Sequence, residues 1–214
     1  MERVWIGTSG WSYDHWRDAF YPEDTPHAEW LDYYAGRLAS VEINASFYRL
    51  PAKKTLHDWA KRVPADFLFA FKASRYLTHM KKLKPAAQSR KRMLERAREL
   101  GKHLGPILFQ LPPHWRANPE RLDRFLGELP RRYRYAFEFR DESWWSDEIF
   151  EALERHGAAF VWSDIARRRA PLADTAEFHY VRWHGPGEDA YTGRYGRNRL
   201  RPLARKVREW NEDG

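Results

Sequence analysis

Val41-Glu42-Ile43-Asn44-Ala45-Ser46-Phe47-Tyr48-Arg49-Leu50-Pro51 begins apolar and finishes polar, and five other segments share that polarity. They are FLFAFKAS (67–74), ILFQLPP (107–113), YAFEFRDESWW (135–145), FVWSD (160–164) and YVRWHG (180–185). Each places an ionisable or amide side chain near its C-terminal end. A barrel of parallel strands builds its functional site at that end. The polarity therefore predicts where binding or chemistry occurs, without naming a reaction.

Working outward, the sequence predicts strands over 3–9, 40–48, 67–74, 106–111, 134–140, 158–164 and 178–184. Helical periodicity lies between most of them: Trp30, Tyr33, Tyr34 and Leu38; Leu56, Trp59, Ala60 and Val63; Leu122, Phe125, Leu126 and Leu129; Leu200, Leu203, Ala204 and Val207. Such spacing lays one apolar helix face against a sheet. Asn118-Pro119 and Asn198 read as helix starts, and Gly101, Gly127 and Gly157 as helix ends or the turns after them. The stretch between Asp164 and Phe178 reads as basic and irregular. No linker, repeat or low-complexity tract divides the 214 residues, which predicts one domain over 1–214. Alternating strands and helices predict a parallel α/β sheet. Gly7-Thr8-Ser9-Gly10 is not a dinucleotide fingerprint and there is no P-loop, so a (β/α) barrel of the TIM type is favoured over an open doubly wound sheet.

Side chains alternate across a strand. If the apolar faces meet the helices, the polar faces gather Glu42, Asn44, Lys72, Gln110, Glu138, Arg140, Asp164, Arg182 and His184 near one axis. Three carboxylates then meet three cations. Buried ion pairs are often replaceable by apolar groups without loss, so six charges on inner faces point to function. The chain has no cysteine, which excludes a thiol nucleophile, a disulfide framework and a Cys-based metal site. There is no signal-peptide profile at the start and no apolar run of the ~20 residues that cross a bilayer. A soluble, cytoplasmic protein without membrane contact is expected.

The stretches IGTSGWSY (6–13), FYP (20–22), VEINASFYRLP, FLFAFKAS followed by Thr78-His79, LGPILFQLPP (104–113), FEFRDESWW (137–145) and YVRWHG resemble the DUF72 family, also called YecE-like proteins. The resemblance runs in family order from near residue 4 to near residue 210. It implies a TIM-type barrel and no particular activity, for the family is known as one of unknown function. Metal-dependent sugar isomerases and abasic-site endonucleases share that fold, which is analogy only. The positions matching family motifs are Trp11, Tyr13, Glu42, Asn44, Phe47, Tyr48, Lys72, Thr78, His79, Gln110, Glu138, Arg140, Trp144, Asp164, Arg182, His184 and Gly185. Two departures stand out. Asp141 occupies a position where the family usually has histidine. The sequence also stops at Trp210-Asn211-Glu212-Asp213-Gly214, where the family continues into a last strand. Only seven strands are then expected, leaving a gap that is open, filled by another segment, or the result of truncation.

Two functions follow as alternatives. The first is an enzyme that binds a phosphate- or carboxylate-bearing substrate, with phosphoester hydrolysis or sugar-phosphate chemistry in view. Arg140 and Arg182 would grip the anion, Glu42 or Glu138 would act as base, and Lys72 or His184 as acid or electrostatic stabiliser. Asn44 and Asp164 complete the catalytic set. Trp11, Tyr13, Tyr48, His79, Gln110, Trp144 and Tyr195 would contact substrate. A divalent metal on Glu42, Glu138, Asp164, His79 or His184 is possible but not favoured, because ligand spacing is loose and nearby cations compete. The second is a nucleic-acid-binding protein with repair-nuclease activity. Its support is a net charge of +8 and the basic runs Lys81, Lys82, Lys84; Arg90, Lys91, Arg92; Arg167, Arg168, Arg169; and Arg194, Arg197, Arg199, Arg201, with Tyr191 and Tyr195 interleaved. Each run also reads as a solvated face. Trp183 to Gly196 reads as a lid, and His114, His156 and His179 as structural. The oligomeric state does not follow from the sequence.

Overall fold

The computed structural model describes residues 4–165, 168–188 and 192–212. Six parallel neighbours form in chain order: β1 (Gly7–Ser9), β2 (Ser40–Ile43), β3 (Leu68–Lys72), β4 (Leu104–Gln110), β5 (Tyr135–Glu138) and β6 (Ala159–Ile165). The two-residue β7 (Arg168–Arg169) pairs antiparallel with β6, and β8 (Tyr180–Trp183) pairs parallel with the other side of β6. Apart from β7, seven strands make a curled, parallel half-barrel. The curl brings Arg182 of β8 within 3.2 Å of Ser9 on β1. Among the described residues, β1 and β8 share no ladder.

Helices flank the sheet: α1 (Trp30–Ala35), α2 (Ala45–Tyr48), α3 (Lys53–Lys61), α4 (Ala87–Ala97), α5 (Pro119–Gly127), α6 (Asp147–Arg155) and α7 (Arg197–Glu212). The Asn118 carboxamide caps α5 by accepting from Arg121 N at 2.9 Å, with Pro119 in the first turn where a missing N–H costs nothing. Its face Leu122, Phe125 and Leu126 is buried against Phe109 and Phe137 of the sheet. Burial of each such side chain is worth about 1.5–3 kcal/mol. Gly157 ends α6 at φ 62°, a conformation open to glycine without strain.

Several boundaries differ from the sequence expectation. The segment read as strand 40–48 is a four-residue strand followed by a turn of helix, so Phe47 and Tyr48 leave the sheet. Residues 4–6 form no strand, and Ile6 is 66% exposed. The irregular stretch after Asp164 contains β7, and two helices, α4 and α6, form outside the four periodic segments expected from the sequence.

The outer face of the sheet meets the helices through Phe69, Phe71, Ile107, Phe109, Phe137, Phe160 and Trp162. The inner face carries a smaller apolar floor of Leu108, Ala136, Ala159 and Val161, packed by Ala176, Phe178 and Tyr180. Lys72, Gln110 and Glu138 lie on the same inner face at the C-terminal ends of their strands: Lys72 is level with Leu108, and Gln110 with Glu138.

Candidate functional site

Arg182 organises the polar layer above that floor. Its Nε and Nη2 each donate to Glu42 at 2.9 Å, a two-point grip across the half-barrel. Nη1 donates to Glu138, and Nη2 also reaches Ser9 Oγ. Glu42 further accepts from Ser9 Oγ at 2.8 Å and Tyr180 Oη at 3.2 Å. Glu138, wholly buried, lies 2.7 Å from Arg140 Nε and 3.1 Å from His184 Nε2. The Arg140 N–H does not aim at that oxygen, so the pair attracts by charge without a formed hydrogen bond. Asn44 joins through Ser9 Oγ at 3.1 Å, and its own Oδ1 is buried without a hydrogen-bond partner among the described residues.

These contacts set the protonation states. Burial would raise the Glu138 carboxyl, but Arg182, the His184 hydrogen bond and Arg140 outweigh it and hold the group well below the usual carboxylate range. Arg182 is buried too, and its two carboxylates keep its pKa above that of a free guanidinium. Burial pushes the His184 ring down, against the pull of Glu138, so it is neutral at pH 7. Burial and the Glu42 charge push the Tyr180 phenol well up.

Lys72 is different. It is only 8% exposed, and among the described residues it makes no ion pair. Its Nζ sits 4.9 Å from the centre of the Phe47 ring. Burial pushes its pKa down to about 8, an effect that the charge of Glu42 only partly opposes. His79, on a π-helical turn spanning Tyr76–Met80, packs edge-on against the same Phe47 ring at 5.0 Å. Burial, then Arg75, Lys72 and Arg140, lower its pKa, and its Nδ1 is 2.9 Å from Thr78 Oγ1. Single π-helical turns recur at functional sites.

The structure thus brings together Glu42, Asn44, Lys72, Glu138, Arg140, Arg182 and His184, with His79 beside them and Gln110 level with Glu138. Asp164 does not belong to the group. The register pairs Ser163 with Arg182 and Asp164 with Trp183, so Asp164 faces outward with Trp162 and meets Arg169 at 3.5 Å. Ser163 holds the inward position expected for it. Trp144 is also displaced from the expected role: it is wholly buried, stacks on Phe139 and donates Nε1 to Trp115 O at 2.6 Å. Trp11 packs on Trp59 and Phe69 in the outer core. Tyr195 lies against Trp183, on the Asp164 side of β8.

Tyr13 reaches the base of the site through a bond from Oη to Ser9 O, and the sharp turn at Gly10 (φ 91°) leaves it room. Tyr48 is 81% exposed beside Phe47. Ser9 and Tyr180 join the site without being among the residues expected there. The signal for Tyr180 was its place two residues before Arg182 on one face; Ser9 has no charged neighbour in the sequence and meets Glu42 only through the register of β1 and β2.

The basic runs are dispersed, and part of their charge is taken up. Arg90 pairs with Glu128 at 2.5 Å, Arg168 with Glu142 at 4.0 Å and Arg169 with Asp164. Arg167 and Tyr191 lie outside the described residues, as does the middle of the expected lid. His156 and His179, which read as structural, each have a carboxylate partner, Asp123 at 3.1 Å and Asp174 at 3.3 Å. Among the described residues no three His, Asp or Glu side chains converge as metal ligands. No helix among them is long and apolar enough to cross a membrane.

A curled α/β half-barrel with a buried ionic network at its strand ends defines the class of protein. The chain belongs to the DUF72 family, described as proteins of unknown function, whose family model matches residues 5–214. A DUF72 family protein from Thermotoga maritima is similar in structure, with a TM-score of 0.85 and 28% identity over 99% of this chain and 88% of that one. One from Enterococcus faecalis shares the fold, with a TM-score of 0.68 and 19% identity over 88% of this chain and 84% of that one. The UPF0759 protein YunF of Bacillus subtilis is 28% identical over 160 residues, which take in 69% of this chain and 54% of that relative's length. The chain thus spans about half the length of the curated relative it matches.

Proposed function

We propose that the protein is an enzyme that binds a small phosphate- or carboxylate-bearing molecule in the charged hollow at the strand ends of a TIM-type barrel. One observation carries the reading. With Asp164 turned outward, three inward cations among the described residues, Lys72, Arg140 and Arg182, face two carboxylates, Glu42 and Glu138. His79 and His184 add no charge at neutral pH. A buried excess of positive charge is costly unless an anion completes it.

The contacts also redistribute the roles. Arg182 is saturated by two carboxylates and serves as a brace. Glu138 is held anionic and fully engaged, which suits it to orient His184 and Arg140 and makes it a poor base. Lys72 and Arg140 are the cations left to meet an anion. Gln110, on the same inner face, and Tyr48, exposed beside Phe47, are placed to line it. His79 is the neutral acid–base group beside them.

The test is calorimetric titration with inorganic phosphate and ribose 5-phosphate. The wild type is expected to bind, and Arg140→Met and Lys72→Met each to weaken binding at least tenfold. Equal affinity in all three proteins would sink the proposal.

A further inference from the structure

We propose that Lys72 is a nucleophile that condenses with a carbonyl group of the bound anion to form an imine. The inference rests on the anion-site reading above and extends it to a substrate class: aldehydes or ketones that also carry a phosphate or carboxylate.

The geometry supplies what such a lysine needs. An amine attacks only when unprotonated, and proteins achieve this by removing it from water and setting it among other cations. Lys72 is buried, has no ion pair among the described residues, and rests against an aromatic ring. Arg182 and Arg140 both disfavour its charged form, and its pKa of about 8 leaves a usable fraction of free amine near neutrality. A lysine whose role was to neutralise Glu42 or Glu138 would sit in contact with one of them, and Arg182 already occupies that place.

Arg140, at the mouth beside His184, is positioned to take the anionic group of the same molecule. His79 shares the Phe47 ring with Lys72 and is neutral, so it can relay protons as the adduct forms. In the reaction the Nζ lone pair adds to the carbonyl carbon, and the C=O pair moves to oxygen and is protonated, giving a carbinolamine. One of the two amine hydrogens has by then passed to that oxygen; the hydroxyl departs with the other as water, and a C=N bond remains. No oxidant, reductant or cofactor is required.

The experiment uses the full chain with dihydroxyacetone phosphate as probe. Sodium borohydride adds hydride to any C=N bond and fixes the probe as a secondary amine, read by intact mass and peptide mapping. Calorimetry on the same samples reports binding separately. The expected result is one adduct per chain on the peptide containing Lys72, suppressed by excess inorganic phosphate and lost in Lys72→Arg. That variant keeps the positive charge and, by circular dichroism, the fold. Binding of the probe without an adduct would overturn the nucleophile and leave the anion site standing. An adduct of equal extent in Lys72→Arg, or spread over surface lysines, would overturn it as well. Failure of both the probe and inorganic phosphate to bind would remove the two readings together.

Discussion

Replacing Lys72 by methionine is expected to make the protein more stable at pH 7. Methionine keeps most of the stem and its contact with Phe47 while deleting the buried charge. The drop in the Lys72 pKa from 10.5 to about 8 corresponds to roughly 3 kcal/mol of penalty on the charged form. That figure already includes the attraction of Glu42 and Glu138. Loss of the contact between ammonium and ring returns about 0.5–1 kcal/mol of it, and imperfect packing of the new side chain takes more. A net gain of about 1–2 kcal/mol remains.

The pH dependence has a definite sign. The folded state binds fewer protons than the unfolded state between pH 8 and 10.5, so wild-type stability rises with pH across that window. The advantage of Lys72→Met is therefore full below about pH 8 and vanishes by about 10.5. Urea denaturation of both proteins at pH 7 and pH 10, followed by tryptophan fluorescence, measures it. A variant that is less stable at pH 7, or a difference that does not shrink at high pH, would show that the lysine is held by net attraction. The case for an excess cation would then fail.

Two further outcomes are expected. Arg182→Met leaves Glu42 and Glu138 buried with fewer donors and lowers stability by about 3 kcal/mol, the low end for a broken buried pair because Ser9, Tyr180 and Arg140 remain; adding Glu42→Gln should recover part of the loss, and strict additivity would refute the coupling. Trp144→Ala should cost about 3–5 kcal/mol as a core deletion, whereas Tyr48→Ala, at an 81% exposed position, should stay within about 0.5 kcal/mol; thermal melts of both distinguish them.

The order and parallel sense of the strands were legible because helical periods alternate with short apolar runs. So was most of the ionic cluster, since Glu42, Lys72, Glu138 and Arg182 each sit on the more polar face of an alternating strand. Asp164 departs from its expected inward place for a physical reason. A parallel strand packed on both sides is apolar on both faces, and Phe160-Val161-Trp162-Ser163-Asp164 offers no alternation to fix its register. The sequence therefore predicts an inward charge at its end, and β8 pairing turns it outward. Asn44 to Tyr48 fits a period of two, yet it turns into helix, where Ser46 donates to Ile43 O and Lys72 O and ties β2 to β3. Trp144 and Trp145 are adjacent and chemically alike, and only the fold shows that the first is wholly enclosed while the second is partly open.

The guanidinium of Arg182 clasps a carboxylate that is synthesised 140 residues before it and another 44 residues before it. Until β8 docks, the early strands hold two acids that water must solvate, and the hollow between them cannot dry. Contacts of such long range form late in folding. Completion of the pocket is thus tied to the docking of β8, and the site has its electrostatic character only once that strand is in place.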